Sequence, residues 1–139
     1  MTTDTIDEAQ TEDLRARMPF ATVLGLEVLE ASKERVRIRA RWKPEFCTSF
    51  GIAHGGFLMS IADTAGALLT VQHLPPGAGT TTLESKTNFL RALREGTVVA
   101  TTEPVHAGRT SVVVTTDLHD EAGKLLTRTT QTQMVLQER

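Results

Sequence analysis

The chain of 139 residues has little of what marks several classes of protein. Its one cysteine, Cys47, cannot form an internal disulfide and provides no cysteine cluster for a metal ion. The net charge of −2 offers no basic surface for nucleic acid or an anionic membrane. The acidic, polar N-terminus does not resemble a signal peptide, so we expect a cytoplasmic protein. Repeats and low-complexity segments are absent, and the length suits one domain with a hydrophobic core.

Aromatic residues are also scarce, at 4% of the chain, and this decides how one basic stretch is interpreted. Over residues 35–42, four arginines alternate with four apolar residues, namely Arg35, Arg37, Arg39 and Arg41 with Val36, Ile38, Ala40 and Trp42. A period of two predicts a β-strand with one buried and one solvated face. A surface that binds single-stranded nucleic acid would have aromatic residues among the arginines, on which bases stack. We therefore interpret the arginines as a solvated strand face.

The longest patterned stretch runs from residue 51 to residue 73 and contains a single acid, Asp63. Apolar residues recur there at the i, i+3, i+4 spacing of a helix buried on one side: Leu58, Ile61, Ala62, Ala65, Leu68 and Leu69. Asp63 falls on the opposite side among small residues such as Gly56 and Gly66, where another helix or a ligand could approach closely. The stretch is too short and too polar to cross a membrane. It predicts the central helix of the domain.

The start of this helix adds a second chemical feature, a set of backbone donors at His54, Gly55 and Gly56. The first N–H groups of a helix have no partner within it, and the macrodipole adds partial positive charge. Because a glycine lets a substrate oxygen come close, these N–H groups could polarise a carbonyl and stabilise an oxyanion. Donors at one end and the Asp63 carboxylate further along suggest acyl transfer or hydrolysis.

The spacing of these two features bears on the oligomeric state. Asp63 lies eight residues beyond Gly55, which is about 12 Å along the axis at about 1.5 Å per residue. The carboxylate therefore cannot reach a carbonyl held at the start of its own helix. One resolution is that two copies of the helix lie antiparallel across a two-fold axis, so that each Gly55 faces the partner subunit's Asp63. We expect a homo-oligomer, either a dimer or a dimer of dimers, without metal or other cofactor.

These residues resemble the hotdog-fold acyl-CoA thioesterases, in the phenylacetate-degradation (PaaI-like) subgroup. That group has a Gly-x-x-His-Gly-Gly segment followed by an acid seven residues after the last glycine, here residues 51–56 and Asp63. Asn-Phe-Leu-Arg at 88–91 and the Gly108–Arg109 pair are also similar, and the resemblance covers about residues 20–136. It implies an α+β hotdog fold, with an antiparallel sheet of five to six strands wrapped around one long central helix. It also implies an acyl-CoA substrate and a catalytic role for Asp63.

The resemblance suggests roles for several further residues. Many relatives carry Asn or Gln six residues before the motif histidine, where it helps to position substrate or water; this chain has Thr48. The usual proline after the Phe-Leu-Arg run is Ala92 here. Thr81 resembles a Ser or Thr near the acid in some relatives, although threonine is also simply a good strand residue. Candidates for binding the phosphates of coenzyme A, each also explicable as a surface charge, are Lys86, Arg91, Arg94 and Arg109.

The rest of the chain predicts an N-terminal segment followed by strands. Residues 1–19 form a segment with a possible short helix that is capped by Thr11 and ends before Pro19, and residues 20–139 form the hotdog domain. Runs rich in Thr, Val and Leu, bounded by turn residues, predict strands at 24–31, 33–43, 80–90, 96–105, 110–117 and 124–136. A long helix among antiparallel strands, without βαβ alternation, indicates the α+β class.

Other interpretations compete at the same residues. Asp63 could be a structural acid that is paired at a subunit interface. His54 could transfer protons or only cap the helix, and nothing near Cys47 marks it as an activated nucleophile. At the level of the whole protein, the alternatives are a hotdog hydratase or dehydratase and a non-catalytic acyl-CoA-binding protein. Aryl-acetyl, benzoyl-type and medium-chain acyl groups all remain open as substrates.

Overall fold

In the computed structural model, which describes residues 4–138, a β-sheet curls around one long helix. The helices of the described residues are α1 (Glu8–Arg17), α2 (Pro19–Leu24) and α3 (Gly55–Gln72), with a short 3₁₀ turn at Pro44–Phe46. The strands of the same residues are β1 (Glu27–Ala31), β2 (Val36–Arg41), β3 (Gly79–Phe89), β4 (Thr97–Ala107), β5 (Ser111–Asp120) and β6 (Leu125–Leu136). They form one antiparallel sheet in the order β1-β2-β4-β5-β6-β3. The predicted α+β hotdog fold is confirmed.

Helix α3 lies in the hollow of the sheet and contributes the centre of the core. The predicted apolar face is buried, with Ile61, Ala65 and Leu69 at 0% exposure, except that Leu68 is only partly buried. Side chains from β2 and β5, including Ile38 and Leu118, are buried in the same cluster. Burying a large apolar side chain contributes about 1.5–3 kcal/mol. The face of α3 that carries Asp63 is therefore fixed by the burial of the opposite face.

Strand β2 has the predicted alternation. Its apolar residues Val36, Ile38 and Ala40 are fully buried. On the other face, the Arg37 guanidinium pairs with Asp4 at 2.7 Å. Arg39 on the same face pairs with Glu27 of β1 at 3.1 Å. The arginine face is thus a solvated surface whose charges are partly met by neighbouring carboxylates.

The N-terminal helices differ from the prediction in two ways. Helix α1 begins earlier than expected, because Asp7 is its N-cap and accepts a hydrogen bond from the backbone of the first turn. Thr11, the predicted cap, lies inside the helix, where its hydroxyl accepts the N–H of Val28 at 2.8 Å. The strand predicted from residue 24 was also wrong at its start, because α2 occupies that position. Gly25 ends α2 with a φ of +66°, a left-handed conformation that glycine adopts without strain.

The predicted division into a segment of residues 1–19 and a domain of residues 20–139 stays a prediction. Residues 1–3 and 139, at the two ends of the chain, lie outside the described residues. Leu14 of α1 and Ala21 of α2 are buried in the same core cluster as α3. The helical N-terminal segment therefore packs on the domain. No helix within residues 4–138 is both long enough and apolar enough to span a membrane.

The two outer strands of the sheet are β1 and β3. Strand β3 is 11 residues long and pairs along one side with β6. A bulge interrupts this pairing between Thr82 and Glu84, and the intervening Leu83 is 60% exposed. A long edge strand with an exposed apolar residue is a surface suited to pairing with another strand.

Candidate active site

The start of α3 is shaped by His54. This residue is the N-cap of the helix, with extended backbone angles of φ −63° and ψ 138°. Its ring Nδ1 accepts the N–H of Gly56 at 2.8 Å, and its carbonyl oxygen accepts the N–H of Phe57 at 3.0 Å. An Nδ1 that accepts a hydrogen bond carries no proton, so this ring nitrogen is already used. The geometry is that of a helix cap, and it leaves the Gly56 N–H bonded within the chain.

The Gly55 N–H differs from its neighbours because it has no hydrogen-bond partner among residues 4–138. Gly55 lines a cleft of about 400 Å³ at this end of α3. The cleft is lined by Ile52, Ala53, Gly55, Leu58, Phe89, Leu90, Arg91 and Ala92. A Cβ added at Gly55 would lie 3.1 Å from the ring of Phe89, so the glycine keeps this approach narrow but open. A substrate oxygen in the cleft could accept the free N–H.

Asp63 lies on the exposed side of α3 with its carboxylate against β3 and β6. The Thr82 hydroxyl donates to Asp63 Oδ1 at 2.7 Å, and the Gln131 side-chain amide donates to the same oxygen. The other oxygen, Oδ2, has no partner among the described residues. The carboxylate is therefore held through one oxygen, while the second is available to a water molecule or a substrate.

A second layer of hydrogen bonds supports these two donors. Gln133, fully buried on β6, donates from Nε2 to the Thr82 hydroxyl oxygen at 2.7 Å. The Oε1 atom of Gln133 in turn accepts the hydroxyl of Thr80 at 3.0 Å. Because the Thr82 oxygen already accepts from Gln133, the single hydroxyl hydrogen of Thr82 is directed to Asp63. The network thus fixes the direction of the bond to the carboxylate.

The hydroxyl next to Asp63 belongs to Thr82 and not to the predicted Thr81. Consecutive residues of a strand point to opposite faces, so within one protomer Thr81 faces away from the side that Thr82 shares with Asp63. Thr81 is exposed and pairs in register with Met134. Residues 80–82 are all threonine, and only the register of β3 decides which of them meets the acid. A role for Thr81 in substrate binding stays a prediction.

Sequence reasoning also missed Gln131 and Gln133. They belong to a stripe of alternate polar residues on β6 whose members are all fully buried: Thr127, Thr129, Gln131 and Gln133. Such a stripe would be interpreted as the solvated face of the strand. The signal that could have identified it is that the other face of β6 is polar as well, with Arg128, Thr130 and Thr132. One of two polar faces must lie against the core helix.

The remaining predicted site residues lie outside α3, some near its start and one near its end. Arg91 lines the cleft at Gly55. Thr48 lies in the loop before α3, and its N–H donates to the carbonyl oxygen of Ile52 at 2.8 Å. Arg109 lines a different cleft with His73, at the far end of the helix. One protomer therefore does not bring Arg91 and Arg109 to the same place.

Gly55 and Asp63 are also kept apart within one protomer. Both lie on the continuous helix α3, which separates them by about 12 Å along its axis. The predicted separation is confirmed, because the helix has no break between them. Any chemistry that needs both groups at one carbonyl requires a second copy of one of them.

Cys47 shows no sign of activation in its surroundings. It lies just after the 3₁₀ turn, and its thiol donates to the carbonyl oxygen of Lys43 at 3.4 Å.

Carboxyl groups with shifted pKa values lie on the outer face of the sheet. There, the guanidinium of Arg128 beside Asp117 lowers the pKa of that carboxyl below its usual 3.8. The electrostatics of the outer face therefore concern stability.

The sequence pattern of the thioesterase superfamily matches residues 50–127, a span that includes His54, Gly55 and Asp63. The chain belongs to this superfamily. It is therefore an enzyme, a thioester hydrolase with the hotdog fold. A protein of Bacillus subtilis (strain 168), provisionally named esterase ComA2, is 35% identical over 74% of this chain and 82% of its own length.

Two further similarities concern function and fold. The 1,4-dihydroxy-2-naphthoyl-CoA hydrolase of Listeria monocytogenes serotype 1/2a (strain 10403S) is 27% identical over 78% of this chain and 89% of its own. The crystal structure of thioesterase HI1161 from Haemophilus influenzae superposes with a TM-score of 0.85 at 26% identity. The superposition covers 97% of this chain and 92% of that chain. The fold thus extends over nearly all of both proteins.

Proposed function

We propose that this protein belongs to the PaaI-like subgroup and hydrolyses an aryl- or medium-chain acyl-CoA to the free acid and coenzyme A. The observation that carries the proposal is the N–H of Gly55, which has no partner among residues 4–138 and belongs to a residue that lines the cleft at the start of α3. An exposed carboxylate with one free oxygen, at Asp63, completes the set of groups. The CoA ester named for the Listeria relative supports a substrate of this class.

The reaction needs one donor and one carboxylate. The thioester carbonyl oxygen would accept the Gly55 N–H, which stabilises the negative charge that develops on it during attack. The partner subunit's Asp63 would then act in one of two ways. As a general base it takes a proton from water while the water oxygen attacks the carbonyl carbon; as a nucleophile it forms an anhydride that water then hydrolyses. In both routes the C–S bond breaks and the sulfur leaves as the thiolate of coenzyme A, which takes a proton from the protonated Asp63 in the base route and from water in the nucleophilic route.

A shared site is supported by the edge of the sheet. Strand β3 is 11 residues long, and its outer side, which includes the exposed Leu83, pairs with no other strand of residues 4–138. Antiparallel pairing of two such edges creates a two-fold axis and places the two α3 helices on either side of it. Each Gly55 would then approach the partner subunit's Asp63. Arg91 at one end of α3 and the partner subunit's Arg109 would likewise be brought to the same end, where they could bind phosphate.

The proposal is tested by the release of free thiol from a panel of aryl-acetyl, benzoyl-type and medium-chain acyl-CoA esters. Asp63→Asn keeps the size of the side chain and removes its charge. We expect its turnover to fall by roughly 10²-fold or more with folding intact, because the base or nucleophile is lost. A folded Asp63→Asn variant with near-normal turnover would exclude this mechanism. Binding without thiol release across the whole panel would exclude these substrates.

Mixing two inactive variants tests whether the site is shared between subunits. Asp63→Ala lacks the carboxylate, and Gly55→Pro lacks the polarising N–H. In a mixed dimer, one site combines an intact Gly55 with the partner subunit's intact Asp63, while the other site carries both defects. Equal amounts that reassort at random should recover about a quarter of wild-type activity in a closed two-fold dimer. Confirmed mixed dimers without activity would show that each site lies within one chain.

A further inference from the structure

The side chain of Gln131 is unusual because it is fully buried and yet bonded on one side only. Its exposed fraction is 0%, and its Nε2 atom donates to Asp63 Oδ1 and, at 3.3 Å, to the Thr82 hydroxyl oxygen. Its Oε1 atom is buried without a hydrogen-bond partner among the described residues. A buried acceptor without a partner destabilises the fold. An apolar side chain of similar length would avoid this cost, so the amide calls for an explanation in terms of the carboxylate.

Gly66 provides the space for this amide. It is buried on α3, one turn beyond Asp63. A Cβ atom added at Gly66 would lie 2.0 Å from Gln131 Oε1 and 3.0 Å from Gln131 Cδ. Real Cβ atoms do not approach other atoms so closely, so any other residue at this position would displace the amide. The small residue predicted to let a helix or a ligand approach α3 instead admits a side chain from β6.

The orientation of the amide is set by Asp63 Oδ1, which accepts a hydrogen bond from it. With the carboxylate ionised, Nε2 must face it, because Oε1 in that place would put two acceptors against each other. When the reaction places a proton on Oδ2, Oδ1 is still an acceptor, and Nε2 can go on donating to it without any rotation of the amide. The same side chain can therefore bond to Asp63 before and after a proton transfer.

We propose that Gln131 is a positioning residue for Asp63, one that holds the carboxylate through Oδ1 in both of its protonation states and leaves Oδ2 to the reaction. This inference rests on the proposed function, in which Asp63 is the base or nucleophile. It assigns the buried amide to the chemistry of the site, with Gly66 as the residue that makes room for it.

The groups that bond to Asp63 carry no charge of their own. Asp63 is the one charged residue of α3. The charged side chains on the strands that hold it bond elsewhere: Glu84 accepts from Thr132, Lys86 donates to Asn88, and Arg128 donates to Asp117. The direct donors to the carboxylate, Thr82 and Gln131, are both neutral. Removing one of them disfavours the ionised form.

The test is Gln131→Met, which keeps the length of the side chain and removes the donor. We expect the thermal midpoint to stay or rise, because a buried unpaired acceptor disappears. We expect kcat to fall by about tenfold with KM little changed, and the acidic limb of the kcat/KM profile to move to higher pH. A purely structural role would lower the thermal midpoint and leave the limb where it is.

The matched control is Thr129→Val. Thr129 lies on the same strand two residues earlier, is equally buried, and bonds to the hydroxyl of Thr87 at 2.7 Å without contacting Asp63 by any hydrogen bond. The acidic limb of the kcat/KM profile of Thr129→Val should coincide with that of the wild type. A limb shifted as far in Thr129→Val as in Gln131→Met would overturn the proposal, since any loss of a buried bond would then produce it.

Gly66→Ala gives a second route that leaves Gln131 in place. It should push the amide away from Asp63 and move the acidic limb in the same direction, and it decides the matter if Gln131→Met does not fold. A limb unchanged in the folded variants would overturn the role of Gln131 while Asp63→Asn, if inactive, keeps the proposed function. An active Asp63→Asn variant would overturn both.

Discussion

Replacing Gly55 by proline removes the hydrogen of the backbone N–H and adds a pyrrolidine ring. It tests whether the backbone donor at the start of α3 contributes to catalysis. The Gly55 N–H has no partner among residues 4–138, so the substitution breaks no hydrogen bond described in the fold. Proline is favoured at the first position of a helix, and the preceding residue must be extended. His54 already has a φ of −63° and a ψ of 138°. The helix should therefore form as before.

The expected loss of activity follows from the role of the donor. Removing one oxyanion-hole donor lowers kcat by roughly 10²–10³-fold, which corresponds to about 2.7–4 kcal/mol of transition-state stabilisation. Stability should change little, and the restricted unfolded chain could contribute about 0.4–1 kcal/mol in favour of the fold. The assay is steady-state thiol release from the best acyl-CoA of the panel, together with thermal unfolding.

Gly55→Ala is the matched control, because it keeps the N–H and introduces the same Cβ. That Cβ would lie 3.1 and 3.2 Å from two ring atoms of Phe89, which is tight but involves a ring that is 51% exposed and can move outward. We expect the alanine variant to lose far less activity than the proline variant. Equal losses would mean that the cleft has been filled sterically. A folded proline variant with normal kcat would refute the assignment of the N–H.

Two further predictions concern assembly and acid stability. Leu83→Lys places a charge on the exposed edge of β3, so the proposed dimer should dissociate in sedimentation experiments. Val105→Lys, at a residue of similar exposure on β4, should leave the proposed dimer intact. The pKa of Asp117 is lower in the folded state than its usual value of 3.8, so its ionised carboxylate stabilises the fold at pH values above 3.8. This contribution is lost as the pH falls through the lowered pKa. Asp117→Asn should therefore reduce the free energy of unfolding at pH 7 by at most about 1 kcal/mol, because Arg128 is half exposed, and should have no effect under strongly acidic conditions. An undiminished difference in acid would contradict the pairing.

The parts of the fold that were predicted from the sequence are those with long periodic patterns. Helix α3 has six apolar residues at helical spacing, and β2 alternates over its whole length. Helix α2 is only six residues long, too short for a helical period to be distinguished from an apolar strand. The N-cap of α1 was assigned to Thr11 because the hydroxyl fits either role. A tertiary contact, the N–H of Val28, decides it.

At the candidate site, sequence reasoning identified the residues of α3 and missed those of the strands. Gly55 and Asp63 belong to one contiguous motif whose spacing alone fixes their separation. Thr82 and Gln131 come from β3 and β6, and they meet Asp63 only because of the register of those strands. That register includes the bulge after Thr82, which no local pattern of the threonine run predicts.

Strand β3 links the position of the Asp63 carboxylate to the edge of the sheet. Asp63 is held by Thr82, and Thr82 lies on the strand whose outer side is unpaired. In the proposed dimer, pairing of the β3 edges would therefore fix the strand that holds Asp63 at the same time as it delivers Asp63 to the partner subunit's Gly55. Assembly and the positioning of the carboxylate would depend on the same strand. A monomeric variant should then lose activity for two reasons, because its site is incomplete and because the donor to its carboxylate is less firmly held.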